Sequence, residues 1–454
     1  QGARLMYINK IRLRNFRCYK DFTIRFEPRL TVIVAENGKG KTAILDGLVV
    51  AMAPFLSAFP GSKVRNFQFH DVRMVLDVPA EGKELGVQRM KYLLPVSLEA
   101  EGVNNANKMF SWERELKTLK GRTSSARAKV LSDYGRRLAL SLNQPGDEKI
   151  ILPVLGYYGT TRMWNDSSLL KGKAIDLSRS SGYVECLEPS GSYNTFGQWF
   201  RYASESELEY DRIIAEKKLP DKNPYRDILN AVRKAIIECI GSMGWTDLKY
   251  SFAAQNLLLC HPQKGELPLE AMSDGARSVI SMAADIAYRM ARLNPDLGEN
   301  VALQTPGVVL IDEVDMHLHP SWQQTVINDL TRAFPLVQFI VTTHSPQLLT
   351  SVPPESIRIL RWKGDAVAIE EPVFALGAES SQLLRDIQRV ESRPLSVPIV
   401  KDLQRYLQLV CDDQWDSEEA LALRKKLDLW SKGREPALIR ADMDIRLRRF
   451  RRKK

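Results

Sequence analysis

The sequence predicts an α/β fold built on a buried parallel sheet, and three segments predict it. Leu30-Thr31-Val32-Ile33-Val34 is a β-branched run that passes directly into a glycine-rich turn and a helical stretch from Lys41 to about Ala53. Val308-Val309-Leu310-Ile311 is a second apolar strand and ends on two acids, Asp312 and Glu313. Phe339-Ile340-Val341-Thr342 is a third and runs to His344. All three are apolar at successive positions rather than alternating, as strands covered by helices on both faces must be.

The other elements follow in chain order. Ile8 to Leu13 and Phe22 to Phe26 read as strands ahead of the glycine turn. A strand is expected around Met90 to Pro95, then a charged helical stretch from Phe110 to Leu142, then an apolar strand from Ile150 to Gly156. Tyr193 to Ile240 has helical periodicity, broken at Pro220 and Pro224. Leu257 to Cys260, Lys264-Gly265 and Leu267 to Leu269 predict a hairpin leading into a helix from Asp274. The chain from Ala375 onward is predicted helical.

Composition bounds the function classes. The 454 residues carry a net charge of +10, which favours an acidic partner such as nucleic acid without placing a site. Arg114, Lys117, Lys120, Arg122, Arg127 and Lys129 form one basic block, and Arg446 to Lys454 another; each is read as a nucleic-acid contact or a solvated face. No apolar run reaches the roughly 18 residues of a membrane span, so no membrane partner is expected. Cys18, Cys186, Cys239, Cys260 and Cys411 form no CxxC pair, which argues against a zinc cluster or disulfide framework and fits a reducing cytoplasm.

The chemistry concentrates in four motifs. Ala35-Glu36-Asn37-Gly38-Lys39-Gly40-Lys41-Thr42 lies between a strand and a helix, the context a phosphate loop requires, with Ala35 where the first glycine usually stands. Its backbone N–H groups at Asn37, Gly38, Lys39 and Gly40 would cradle ATP phosphates, Lys41 would reach the β and γ phosphates, and Thr42 would ligate Mg²⁺. Asp312 is the second expected Mg²⁺ residue, and Glu313 is placed to polarise the attacking water. Ser273-Asp274-Gly275 opens a helix whose free N–H groups suit a phosphate, yet the chain's own phosphates belong to Lys41. The economical reading is that Ser273 and Gly275 cap a nucleotide held by a second copy. His344 would sense the γ-phosphate.

Asn15-Phe16-Arg17, the loop at 35–42, Ser273-Asp274-Gly275, Leu310 to Glu313, His317-Leu318-His319-Pro320 and Thr342-Thr343-His344-Ser345 together resemble, in content and order, the ABC-type ATPases related to RecF and the chromosome-maintenance proteins. More narrowly, the chain resembles the compact prokaryotic ATPases that include the ATPase subunit of the Septu anti-phage system, which works beside an HNH nuclease. The resemblance implies an α/β ABC-type P-loop ATPase head with an inserted helical lobe and a helical C-terminal extension. Its segments would be 6–95 (first part of the head), 96–245 (largely helical insert with a strand near 150–156), 246–374 (second part of the head) and 375–454 (helical region with basic tail). It implies Arg17 as a nucleotide contact, Asp315 to Pro320 as a loop at the dimer face, and a homodimer or higher even-numbered homo-oligomer. It also implies a separate nuclease partner, HNH ahead of Toprim. A DNA-repair ATPase and a scaffold with structural ATP are the alternatives.

The chain itself yields no nuclease set. His317 and His319 are spaced like metal ligands but lack a third. Asp442-Met443-Asp444 imitates an acidic metal motif yet sits in a basic helix with no strand before it. His70 and His261 are isolated, and Arg162 has no position assignable from sequence.

Overall fold

The computed structural model describes residues 6–77, 89–104, 108–142, 150–160, 178–189, 193–391 and 393–452. Arg162, Ser392, Lys453 and Lys454 lie outside them. The chain divides into two compact units, Gln1–Ser380 and Ser381–Lys454.

In the first unit, β1 (Tyr7–Phe16), β2 (Tyr19–Arg25) and β3 (Leu30–Val34) lead into α1 (Lys41–Leu56). A two-stranded ribbon, β4 (Met74–Asp77) with β5 (Arg89–Tyr92), precedes β6 (Val96–Val103) and β7 (Met109–Leu116). Next come α2 (Lys129–Ser141), β8 (Val154–Tyr158), α3 (Tyr193–Lys217) and α4 (Pro224–Ile240). The strands β9 (Asp247–Ser251), β10 (Asn256–His261) and β11 (Gly265–Pro268) form a small antiparallel sheet ahead of α5 (Asp274–Leu293). Then β12 (Gly307–Ile311), β13 (Val337–Thr343), β14 (Ile357–Lys363) and β15 (Ala366–Glu370) complete the strands.

The six-stranded sheet runs β15-β14-β3-β13-β12-β8, parallel except for the edge hairpin β14–β15. Every residue of β3, β12, β13 and β8 is buried, which is why the sequence shows them as continuous apolar runs. A four-stranded antiparallel sheet, β2-β1-β6-β7, packs on the other side of α1. All of α1 except Thr42 is buried, matching a helix apolar on every face.

One expectation fails here. Phe110 to Leu142 is not one helix: its first part is β7, and only Lys129–Ser141 is helical. Trp112, Arg114 and Leu116 face inward while Glu113 and Glu115 do not, a period-two pattern that the density of charge disguises. One member of the basic block, Arg114, is buried. Pro54 lies inside α1 and has no N–H for the carbonyl of Val50; the buried Arg114 donates to that carbonyl at 2.8 Å, and also to Arg65 O at 2.7 Å and Asn66 Oδ1 at 2.6 Å. Trp112 Nε1 donates to Ala51 O at 2.8 Å. Arg114 is thus a structural cation closing a helix end, not a nucleic-acid contact, and burial lowers its pKa to about 10. Arg127 is paired with Glu113 at 2.5 Å.

The second unit is helical. Pro398–Cys411, Glu418–Ser431 and Pro436–Arg452 pack around Leu403, Tyr406, Leu409, Leu427 and Leu438. Asp442 accepts from Arg424 at 2.5 and 2.8 Å, and Arg448 pairs with Asp413 at 2.6 Å and Asp444 at 3.0 Å. Asp442 thus links two helices, Asp444 pairs within its own helix, and Arg448 of the basic tail is already ion-paired.

Candidate functional site

The glycine loop takes its shape from two residues. Gly38 and Gly40 have φ of 72° and 92°, the left-handed region open to glycine, whereas Ala35 does not adopt a positive φ. The missing first glycine is therefore accommodated without strain. Gly40 is doubly required, because a Cβ there would stand 2.5 Å from Tyr19 Oη. Alternation of left-handed residues turns successive N–H groups to one side, and α1 adds its N-terminal dipole with no acid in its first turn.

The ends of β3, β12 and β13 bring distant residues together. Thr42 Oγ1 donates to Asp312 Oδ2 at 2.7 Å, so the two expected Mg²⁺ residues meet across 270 positions. Lys41 Nζ donates to Ala35 O at 3.0 Å and Glu36 O at 3.3 Å and meets Nε2 of His344. Burial chiefly lowers the pKa of both Lys41 and His344; Lys41 lowers that of His344 further, while Glu313, Asp312 and Asp315 oppose the shift in each. Neutral His344 with Nε2 as acceptor suits the lysine ammonium. Glu313 follows with φ 47°, a left-handed backbone uncommon away from glycine and frequent where a side chain is aimed.

Sequence reasoning missed what pins these carboxylates. Thr342 Oγ1 donates to Asp312 Oδ1 at 2.6 Å and accepts from Glu313 N at 2.8 Å; Thr343 Oγ1 donates to Asp315 Oδ1 at 2.6 Å. The two threonines before His344 are thus the hydrogen-bond frame of the acids after β12. The only signal was their polarity at the end of an apolar strand. Tyr19 and Trp362, also unforeseen, contact the glycine loop itself.

Arg17 is placed beside the loop but in an ion-pair network. It bonds Asp46 of α1 at 2.5 Å and the fully buried Asp71 at 2.8 and 2.9 Å, while Arg65 bonds Asp46 at 2.7 Å. Arg17, Asp46 and Arg65 line an open cleft of about 810 Å³ that also reaches Lys63, Tyr157, Thr42 and Asp312. Its volume falls within the range of small-molecule sites.

Ser273 is the N-cap of α5, accepting from Ala276 N at 3.4 Å, and is exposed. Gly275 is buried, and a Cβ there would meet His317 O at 2.2 Å. Its smallness is required by packing within the chain, which fixes α5 against the segment following Glu313. His319 caps a short helix through Ser321, and the described residues contain no cluster of His, Cys, Asp and Glu able to hold a metal. Further along, Tyr158 of β8 and Arg289 both donate to Asp285 of α5, at 2.7 and 2.8 Å, tying that helix to the strand beside β12.

A glycine loop opening a buried helix, a facing strand-end carboxylate pair and a converging histidine define an ABC-type P-loop ATPase head. The chain belongs to the AAA-domain ATPases, whose AAA domain family matches residues 10–236, and to the kin of the retron ATPases. A second AAA domain family, described as putative AbiEii toxin of a type IV toxin–antitoxin system, matches residues 258–350. The chain is 34% identical to the Retron Ec83 probable ATPase of Escherichia coli over 99% of its length and 88% of that protein. It is 26% identical to the Retron Vc95 probable ATPase of Vibrio cholerae over 93% of its length and 88% of that protein. To the Septu protein PtuA of Bacillus thuringiensis it is 26% identical over 43% of its length and 50% of that protein. Among the described residues no helix is long and apolar enough to cross a membrane.

Proposed function

We propose that the chain is the ATP-hydrolysing subunit of a cytoplasmic anti-phage defence complex, closing as a homodimer or higher even-numbered oligomer around ATP and regulating a separate nuclease, HNH rather than Toprim. The observation that carries the chemistry is the contact between Thr42 and Asp312, with Lys41, His344 and Glu313 around it. Asn37, Gly38, Lys39 and Gly40 turn N–H groups to the phosphates, Lys41 neutralises the β and γ oxygens, and Glu313 takes a proton from the attacking water. Thr42 and Asp312 would hold Mg²⁺, which supplies charge neutralisation on the phosphates. Arg17 would contact the nucleotide. Because Ser273 is exposed at the start of α5, it is available to the γ-phosphate held by a second copy, and Gly275 keeps that helix close to the loop at 315–320.

The cellular role rests on the kinship with retron and Septu ATPases. A pull-down of the tagged protein from its native host with ATP and Mg²⁺, followed by mass spectrometry and a nuclease assay, tests it. A co-purifying nuclease supports the defence reading; retained DNA without one moves the assignment to repair. Within the chain, Lys41→Ala should abolish nucleotide binding, and Ser273→Arg should spare binding while stopping turnover. Intact turnover in Ser273→Arg would overturn the two-copy site.

A further inference from the structure

We propose that Trp362 is a positioning residue for phosphate binding: its indole N–H sets the peptide plane that aims the Gly40 N–H at the nucleotide. β14 pairs with β3 up to Ile359 opposite Val34, so its last residues run on past β3 beside the glycine loop. There Trp362 Nε1 donates to the carbonyl of Lys39 at 3.1 Å. The carbonyl of Lys39 and the N–H of Gly40 belong to one planar trans peptide and point in opposite directions. Holding the carbonyl outward therefore holds the N–H inward, toward the anion. This matters at Gly40 in particular, where φ of 92° lies in a region glycine leaves as readily as it enters.

Tyr19 completes the device. Its ring lies 6.0 Å from that of Trp362 at 21° and 4.5 Å from that of Phe22 at 15°, and its hydroxyl donates to Gly40 O at 3.1 Å. Gly40 O also accepts from Ile44 N at 3.2 Å, as the first bond of α1, so that plane is already fixed by the helix. The Lys39–Gly40 plane depends more heavily on Trp362. The inference rests on the reading that this loop binds nucleotide phosphates.

The test compares the full chain with Trp362→Phe, which keeps an aromatic ring against Tyr19 and removes the donor. Affinities for a fluorescent ATP analogue, ADP and AMP are measured with steady-state KM and kcat. Loss of one neutral hydrogen bond should weaken ATP and ADP about five-fold. AMP should be unaffected, KM should rise, and kcat should stay within about two-fold, because the bond acts on ground and transition states alike. A packing role alone would leave Trp362→Phe equal to wild type or weaken AMP equally, and either result overturns the proposal. Should Trp362→Phe melt early, substitution by benzothienylalanine, which has the shape of Trp but no N–H, gives the same comparison. If the wild-type chain binds no nucleotide, the reading of the loop itself fails; if it binds and the variants bind equally well, this inference alone fails.

Discussion

Replacing Thr342 by Val isolates the frame around the acids after β12. Val is β-branched, nearly isosteric and suited to a strand, so backbone and packing are retained while the hydroxyl disappears. Two hydrogen bonds are lost: the one Asp312 Oδ1 accepts at 2.6 Å and the one Glu313 N donates at 2.8 Å. A hydrogen bond to a charged group contributes about 1.5–3 kcal/mol and a neutral one about 0.5–1.5, so the loss is roughly 2–4 kcal/mol. Unfolding entropy of about 2.1 cal/mol/K per residue, over the 380 residues of the first unit, amounts to about 0.8 kcal/mol/K and converts this to ~3–5 °C in Tm. The functional effect should be larger. Asp312 loses the bond that orients it toward Thr42, and loss of such an outer partner typically weakens metal affinity 10–100-fold. The assay is ATP turnover titrated with Mg²⁺ beside a thermal melt, with Thr342→Ser, which keeps the hydroxyl, as the rescue. A Thr342→Val protein with wild-type Mg²⁺ dependence would refute the role given to this threonine.

Other outcomes follow from the same geometry. Arg114→Met should lower stability by roughly 2–4 kcal/mol, because the carbonyls of Val50 and Arg65 lose a buried cationic donor. DNA affinity of the folded protein should not change; an unchanged melt with lost DNA binding would reverse that assignment. His344 has a pKa below its ordinary value of 6.5, so the unfolded chain binds more protons in the window between the two values. Its contribution is complete above that ordinary value and is lost as pH falls through the window, so Tm should decline on acidification and His344→Gln should flatten that slope. An identical slope in the variant would show that another group sets it.

Much of the fold was legible because the central strands are buried on both faces. Leu30–Val34, Gly307–Ile311 and Val337–Thr343 announce themselves as apolar runs, and the motifs at their ends mark the sheet edge where they emerge. What sequence could not supply was neighbourhood. β7 reads as a charged helix because its alternating Glu113 and Glu115 outweigh the inward Trp112, Arg114 and Leu116, and only packing on α1 decides the period. Arg114 looks like a phosphate contact until Pro54 leaves a carbonyl bare beside it. Trp362 lies 323 residues from Lys39, and no periodicity links a strand residue to a loop carbonyl at that separation. Local sequence determined which residues could bind a phosphate, since loop conformation and helix dipole are local properties. Tertiary structure decided which side chains hold those residues in place, because hydrogen bonds between strand ends depend on sheet order, and sheet order is not written in any one segment.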